Sequence, residues 1–270
     1  MNTRIKMVRH TAFKTMPVLA ALLYCSMGFS TSHALTGTLN GLTSDGQVGQ
    51  VGTVKSVVDT TAQHSRIGSS SADAKQLAVI HVFQIPSALL TDHTQRFDTA
   101  TYSTRLTAVG ATRNADLYGL GYRTGSALLA TDYYVGTADA SATLIKDNFI
   151  VPSVANYTAV SASGVALTDY LNAQLIAARA AGATSAYVFF RTNLEASVSW
   201  QSYQLGMTEA GGGNIPTLAY TTAPIAAEPI GTVIMISSVG GQTEKTLSQE
   251  QRKQRPKTDE ELARQKTPNA

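Results

Sequence analysis

QLAVIHVFQI, residues 76–85, has the clearest β-strand pattern in the chain. Successive side chains of a strand point to opposite faces, so Leu77, Val79, His81 and Phe83 share one face and the residues between them share the other. Both faces are largely apolar, which predicts a central strand that is covered on both sides. Pro86 ends the run, because proline cannot donate a hydrogen bond to a central sheet ladder.

Other short runs on either side of this stretch have strand length and are separated by Gly, Ser, Asn, Asp and Pro. Residues 102–109 alternate apolar and polar side chains, which predicts a half-exposed strand. Further strands are predicted at Val54–Asp59, Asp116–Tyr122, Thr143–Ile145, Ala186–Arg191, Ser197–Tyr203 and Thr217–Thr221. Gly119 and Gly121 in the second of these would allow a bend or a close approach by a neighbouring segment. The spacing favours an antiparallel β-sandwich over a parallel α/β sheet.

One segment has helical spacing instead. Leu167, Leu171 and Leu175 recur every four residues, with Tyr170 and Ile176 beside them, and Gly182 follows as a stop signal. This pattern predicts one amphipathic helix over about residues 165–181, packed on an otherwise all-β domain.

The N-terminal residues 1–34 are typical of a secretory signal peptide. Four basic residues precede an apolar stretch at 17–29, and Ser32-His33-Ala34 resembles a cleavage site. A single membrane anchor is an alternative, although the apolar stretch is shorter than the roughly 20 residues that span a bilayer. Cys25 raises a second alternative, an acylated lipoprotein. The export signal places the mature protein outside the cell or at its surface.

Export changes the charge and the cysteine content of the chain. Without the four basic residues of the signal, the chain has 17 basic and 18 acidic side chains, which gives a net charge of −1. A basic patch for nucleic acid is therefore not expected. The only cysteine, Cys25, also leaves, so the mature chain must be held together by its core rather than by disulfides.

Composition divides the remainder into two parts. Residues 35–224 are long enough for one β-sandwich domain. Residues 225–270 hold a short apolar run, 230–236, followed by a polar segment rich in charge, which predicts a disordered tail because little apolar surface can be buried. The order Glu228-Pro229, apolar run and basic cluster also has a degenerate likeness to a bacterial sorting signal.

Several motifs resemble the DNRLRE-type β-sandwich domains of exported bacterial proteins, which are related to a carbohydrate-binding module family with a jelly-roll fold. Residues 67–71 are similar to the family's glycine turn, and 77–86 to its long strand ending in proline. Residues 209–220 resemble its closing motif, a glutamate and a glycine-rich loop before Pro-x-Leu. Gln76 stands where the family has arginine, and the segment 125–162 is longer. The resemblance implies a jelly roll and a binding role.

Aromatic side chains are the natural platform for a sugar, because a flat ring covers the apolar face of a pyranose. The candidate ligand-binding residues are Tyr122, Tyr133, Tyr134 and Trp200. For each of them the alternative is a place in the core or a scattered surface position.

Cofactor and catalytic signals are weak. No zinc motif, P-loop, nucleophile elbow or dinucleotide fingerprint occurs, and His81 in the central strand is expected to be a partly buried, hydrogen-bonded histidine. Four side chains on a predicted loop, Asp132, Asp139, Asp147 and Asn148, could supply oxygen ligands to a structural Ca²⁺; solvated loop acids are the alternative. A glycoside hydrolase would need two convergent carboxylates, which sequence spacing cannot place together.

These observations predict a secreted, non-catalytic binding module whose partner is a polysaccharide or another component of the cell envelope. A structural or adhesive surface protein is the first alternative, and a glycan-active hydrolase is the second. No cofactor is expected apart from structural calcium, and no transmembrane segment is expected in the mature chain.

Overall fold

The computed structural model describes residues 34–70, 75–110, 113–199 and 202–225. Within these ranges the chain forms twelve strands and two helices. In chain order they are β1 (Thr36–Asn40), β2 (Gly46–Val51), β3 (Val54–Asp59), β4 (His64–Ser70), β5 (Lys75–Gln84), α1 (Ser87–Thr91), β6 (Gln95–Val109), β7 (Ala115–Arg123), β8 (Thr143–Ile150), β9 (Ala159–Ser163), α2 (Val165–Ala180), β10 (Tyr187–Leu194), β11 (Ser202–Gly206) and β12 (Thr217–Pro224).

The described strands pair antiparallel and form one curled sheet. Its main path runs β1-β12-β6-β11-β4-β5-β10-β7-β8, while β2 pairs with β5 and β3, and β9 pairs with β6. The fifteen-residue β6 joins two layers, one with β1, β12 and β9 and the other with the remaining strands. Its first part pairs with β12 and its last part with β11. The fold is therefore the antiparallel, sandwich-like all-β architecture that the sequence predicts.

Strand β5 lies at the centre of the sheet and is covered on both faces, as its sequence predicts. Val79 and Phe83 belong to the main core between the layers. Ala78, Ile80 and Val82 belong to a smaller cluster on the other face. The segment 124–142, which links β7 to β8, contributes Leu128 and Tyr133 to that smaller cluster. The long loop thus closes the outer face of the central strands.

The predicted helix is α2, and it covers one side of the main core. Its buried face contains Leu167, Tyr170, Leu171, Leu175 and Ala178, whereas Ile176 is 62 % exposed. The helix ends where predicted, because Gly182 has a φ of +64° and donates its N–H to the Arg179 carbonyl.

Gly119 on β7 is required by the contact between this strand and α2. A Cβ atom at that position would lie 2.3 Å from the ring of Tyr170. The Tyr170 hydroxyl donates to the Leu120 carbonyl at 2.7 Å, which fixes the ring over the strand. The predicted close approach is thus confirmed at Gly119, while nothing lies within 4 Å of the same point at Gly121.

Several elements differ from the sequence predictions. The predicted glycine turn at 67–71 is wrong, because residues 67–70 lie inside β4. The strand predicted at Ser197–Tyr203 is instead β11, which begins at Ser202. Helix α1 and strands β1, β2, β4 and β9 were not predicted, since these short segments contain few large apolar side chains and the pairing of the strands depends on other parts of the chain.

Other predictions fall on residues that the structure does not describe. The signal peptide and the tail lie outside the described residues apart from Ala34 and Ile225 at their borders, and Trp200 also lies outside them. Among the helices of the described ranges, none combines the length and hydrophobicity needed to cross a membrane.

Candidate functional site

A groove of about 460 Å³ opens between the first part of β6, the end of β9 and the first turns of α2. Most of the side chains around it are polar. The residues that line it are Arg96, Phe97, Asp98, Thr99, Ala100, Thr101, Ser163, Gly164, Val165, Thr168, Asp169 and Asn172.

The groove exists because β6 is longer than its neighbour β9. Strand β9 pairs only with Thr101–Arg105, so the earlier part of β6 has no strand beside it on that side. At Phe97 the side chain of Asn172 takes the place of a strand. Its Oδ1 accepts the Phe97 N–H and its Nδ2 donates to the Phe97 carbonyl, both at 2.9 Å. This amide holds α2 beside β6 and leaves the space between them open.

The groove presents both charges and hydroxyl groups to solvent. Arg96, Asp98 and Asp169 are exposed, and none of them is a partner in the two ion pairs of the described residues. Phe97 is 2 % exposed, so its ring faces the core. Such a surface can donate and accept hydrogen bonds but provides no aromatic ring for stacking.

The structure does not bring the predicted aromatic residues together at this groove. Tyr122 on β7 is half-buried and packs against the main core. Tyr133 is 3 % exposed and lies in the smaller core cluster, with Lys55 donating to its carbonyl at 3.0 Å. Tyr134 is half-buried. As placed here, these three tyrosines do not form an exposed platform, and their predicted role in ligand binding stays a prediction.

The side chain of Tyr134 packs against Arg191. This arginine is 1 % exposed, and its guanidinium lies between the rings of Tyr118 and Tyr134, 5.0 and 5.1 Å from their centroids. It donates to Asp139 Oδ2 at 2.7 Å and to Asn193 Oδ1 at 2.9 Å. The charge is therefore fully compensated by groups that also hold the 124–142 segment in place.

A second arginine holds the same segment nearer its start. Arg123 forms an ion pair with Asp132 and lies 4.2 Å from the centroid of the Phe189 ring. Asp132 also accepts the backbone N–H of Leu129 at 2.8 Å. Asp132 and Asp139 are not solvated loop acids, because each carboxylate is paired with an arginine. Their role as calcium ligands stays a prediction.

Asp147 instead joins a different acidic cluster. Oxygen atoms of Asp116, Asp147 and Glu195 all lie within 4.8 Å of one another. Pairing of β7 with β10 and with β8 brings these three positions to one end of the sheet. Burial, together with the nearby carboxylates, raises the pKa of Asp116 above its ordinary value.

The cluster fits a hard cation. Ca²⁺ binds oxygen at about 2.3 to 2.6 Å, so it can lie between carboxylates separated by this distance. Asn148, the other predicted ligand, uses its backbone N–H on Asp116 and its Nδ2 on Asp147. Asp116 and Glu195 were missed by the sequence reasoning, since their proximity depends on strand register.

His81 has the predicted hydrogen-bond partner but is more deeply buried than predicted. It is fully shielded from solvent, and its Nδ1 is 2.5 Å from the hydroxyl of Tyr102. Burial lowers the pKa of His81 to about 3, so the ring stays neutral over the physiological range. Its surroundings are those of a structural histidine.

Comparison with models of known protein families finds none that matches the chain, and a search of curated proteins finds no match either. The likeness to DNRLRE-type domains therefore stays a prediction from the motifs at 67–86 and 209–220.

Proposed function

We propose that the protein is an exported, non-catalytic binding module and that the groove beside α2 takes a hydroxyl-rich ligand of the polysaccharide type. The supporting observation is the lining of the groove, which contains both charged side chains and hydroxyl groups; its charged side chains take no part in the ion pairs of the described residues. Export itself rests on the sequence of residues 1–34.

The chemistry of this groove suits sugar hydroxyls. Each hydroxyl can donate one hydrogen bond and accept others, so it is best recognised where donors and acceptors lie side by side. Arg96 supplies donors, Asp98 and Asp169 supply acceptors, and Thr101 and Ser163 can do both. Because the groove is open rather than enclosed, it can accommodate an internal part of a long chain.

Affinity electrophoresis in gels with neutral and uronic-acid polysaccharides would test the proposal. Arg96→Ala and Asp169→Ala should each weaken retardation by about tenfold or more, since each removes a charged hydrogen-bonding group. Arg66→Ala is the matched control, because Arg66 is exposed on β4 outside the groove.

Trp200→Ala belongs in the same series as the variant of the predicted aromatic platform. Loss of binding in Trp200→Ala alone would move the site away from the groove. No retardation of the wild type across the whole panel would rule out the polysaccharide proposal.

One observation favours a hydrolase as a second candidate. The groove contains two carboxylates, Asp98 and Asp169, which is the residue type that glycoside hydrolysis needs. Both are exposed, however, whereas a general acid is normally kept protonated by burial. Release of reducing ends from a bound polysaccharide, abolished by Asp98→Asn or Asp169→Asn, would establish catalysis.

A structural or adhesive role is supported by the outer face of α2. Val165 and Ile176 are 75 % and 62 % exposed, and the exposed positions between them include Ala166 and Ala173. Exposed apolar side chains occur at contacts with other macromolecules, although here the charged Asp169 lies on the same face of the helix between Val165 and Ile176. Ile176→Lys should then reduce retention of the protein in envelope fractions, while polysaccharide binding stays unchanged.

A further inference from the structure

Asp45 is a fully buried carboxyl group in the turn between β1 and β2. Its exposed fraction is 0 %. Its Oδ2 accepts two hydrogen bonds from Thr208, one from the backbone N–H at 3.1 Å and one from the hydroxyl at 2.9 Å. Thr208 begins the short 3-10 turn Thr208–Ala210 that follows β11. The side chain thus ties together two turns that are 163 residues apart in sequence.

Glu209, the next residue of that turn, faces the same carboxyl group. Its side chain is close enough to hydrogen-bond to Asp45. Among the described residues, no donor reaches Asp45 Oδ1 or Glu209 Oε2, although both atoms are buried. An ionised carboxylate can only accept hydrogen bonds, so two such oxygens can satisfy each other only if one of them carries a proton.

The other titratable groups near Asp45 do not supply a compensating charge. Burial raises the pKa of Tyr102 on β6, and the nearby Asp45 adds to this rise. The Tyr102 hydroxyl in turn contacts neutral His81 on β5. The two ion pairs of the described residues, Arg123 with Asp132 and Arg191 with Asp139, include neither Asp45 nor Glu209.

We propose that buried Asp45 carries a proton beside Glu209 and acts as a pH-sensitive clasp, which joins the β1–β2 turn to the turn after β11 at mildly acidic pH and weakens as the pH rises above neutral. The clasp is separate from the groove and does not depend on the proposed function.

The direction of the effect follows from burial. Desolvation, opposed in part by the Thr208 hydrogen bonds and reinforced by Glu209, raises the pKa of Asp45 from 3.8 to about 7. Between these two values the folded state holds a proton that the unfolded state has released. Stability therefore falls as the pH rises from about 4 to about 7, and the loss is complete above the folded pKa.

The test is urea unfolding from pH 5 to pH 8 in EDTA. In the wild type, titration of Asp45 should raise the equilibrium constant for unfolding about tenfold to a hundredfold between pH 5 and pH 8. Asp45→Asn keeps an oxygen for Thr208 and has no charge to titrate, so it should lose this increase. Glu209→Gln removes the neighbouring charge and should shift the transition to lower pH. Asp98→Asn, at an exposed carboxyl, should behave like the wild type.

Hydrogen exchange at the Thr208 amide gives a second, local measurement. After correction for intrinsic rates, its protection should fall between pH 6 and pH 8.5 in the wild type and stay constant in Asp45→Asn. The same pH dependence in both proteins would overturn the proposal. A calcium-induced stabilisation at pH 8 that survives in Asp147→Asn and is lost in Asp45→Asn would also overturn it, because a cation rather than a proton would then neutralise the pair.

Discussion

The segment 124–142 and the groove beside α2 are both rich in polar side chains, but they use them in opposite ways. In the segment, Asp132 and Asp139 are paired with arginines, and the guanidinium of Arg191 lies 5.1 Å from the centroid of the Tyr134 ring. In the groove, Arg96 and Asp169 are exposed and take no part in those ion pairs. Polar groups that satisfy one another stabilise a fold, whereas polar groups left open to solvent remain able to bind a ligand.

The largest effect on stability is expected for Arg191→Met, which tests whether the buried ion pair holds the segment. The substitution replaces the aliphatic stem of the arginine but not its guanidinium group, so it leaves Asp139 buried without its counter-ion. Removing one partner of a buried ion pair costs about 3 to 5 kcal/mol. We expect a loss of this size in the free energy of urea unfolding.

Arg123→Met is the matched control for Arg191→Met. The side chain of Arg123 is 24 % exposed against 1 % for Arg191, so solvent screens its ion pair and the loss should be smaller. The double variant Arg191→Met with Asp139→Asn should recover part of the stability. Equal stability of Arg191→Met and the wild type would show that this buried network is not what holds the segment.

The cluster of Asp116, Asp147 and Glu195 is intermediate between the two regions. It takes no part in the arginine ion pairs of the described residues, and it is only partly exposed. If it binds Ca²⁺, stability should rise with calcium concentration, by about 2.7 kcal/mol at a hundred times the dissociation constant. Thermal unfolding with calcium and with EDTA would measure the effect. Asp147→Asn should lose most of the response and Asp98→Asn should keep it; an equal response in both variants would place the ion elsewhere.

The smallest expected effect is on the stability of groove variants. Exposed substitutions that break no buried contact usually change the free energy of unfolding by about 0.5 kcal/mol or less. Arg96→Ala and Asp169→Ala should stay within that range in urea unfolding while they weaken polysaccharide binding. A loss of several kcal/mol would mean that these side chains support the fold, as Arg191 does, and would remove the contrast between the two regions.

The sequence predicted those elements whose buried side chains follow a regular spacing along the chain. The apolar faces of β5 predicted a central strand, and the spacing of Leu167, Leu171 and Leu175 predicted α2 to within about a residue at each end. Strands such as β1 and β9 were not predicted because they are only five residues long and contain few large apolar side chains. They exist because β12 and β6 offer them hydrogen-bonding partners.

The candidate sites depended on tertiary structure almost entirely. Tyr133 and Tyr134 look available in a loop sequence, but Tyr133 is buried in the smaller core cluster and Tyr134 is half-buried against Arg191. The groove joins residues of β6 to residues of α2 about seventy positions later, and Asp45 meets Thr208 across 163 positions. The sequence by itself determined an all-β chain with one long helix, because side-chain periodicity is local. Strand register and the length of β6 relative to β9 decided which polar groups lie close together. These features depend on residues far apart in sequence, so a local sequence pattern cannot predict them.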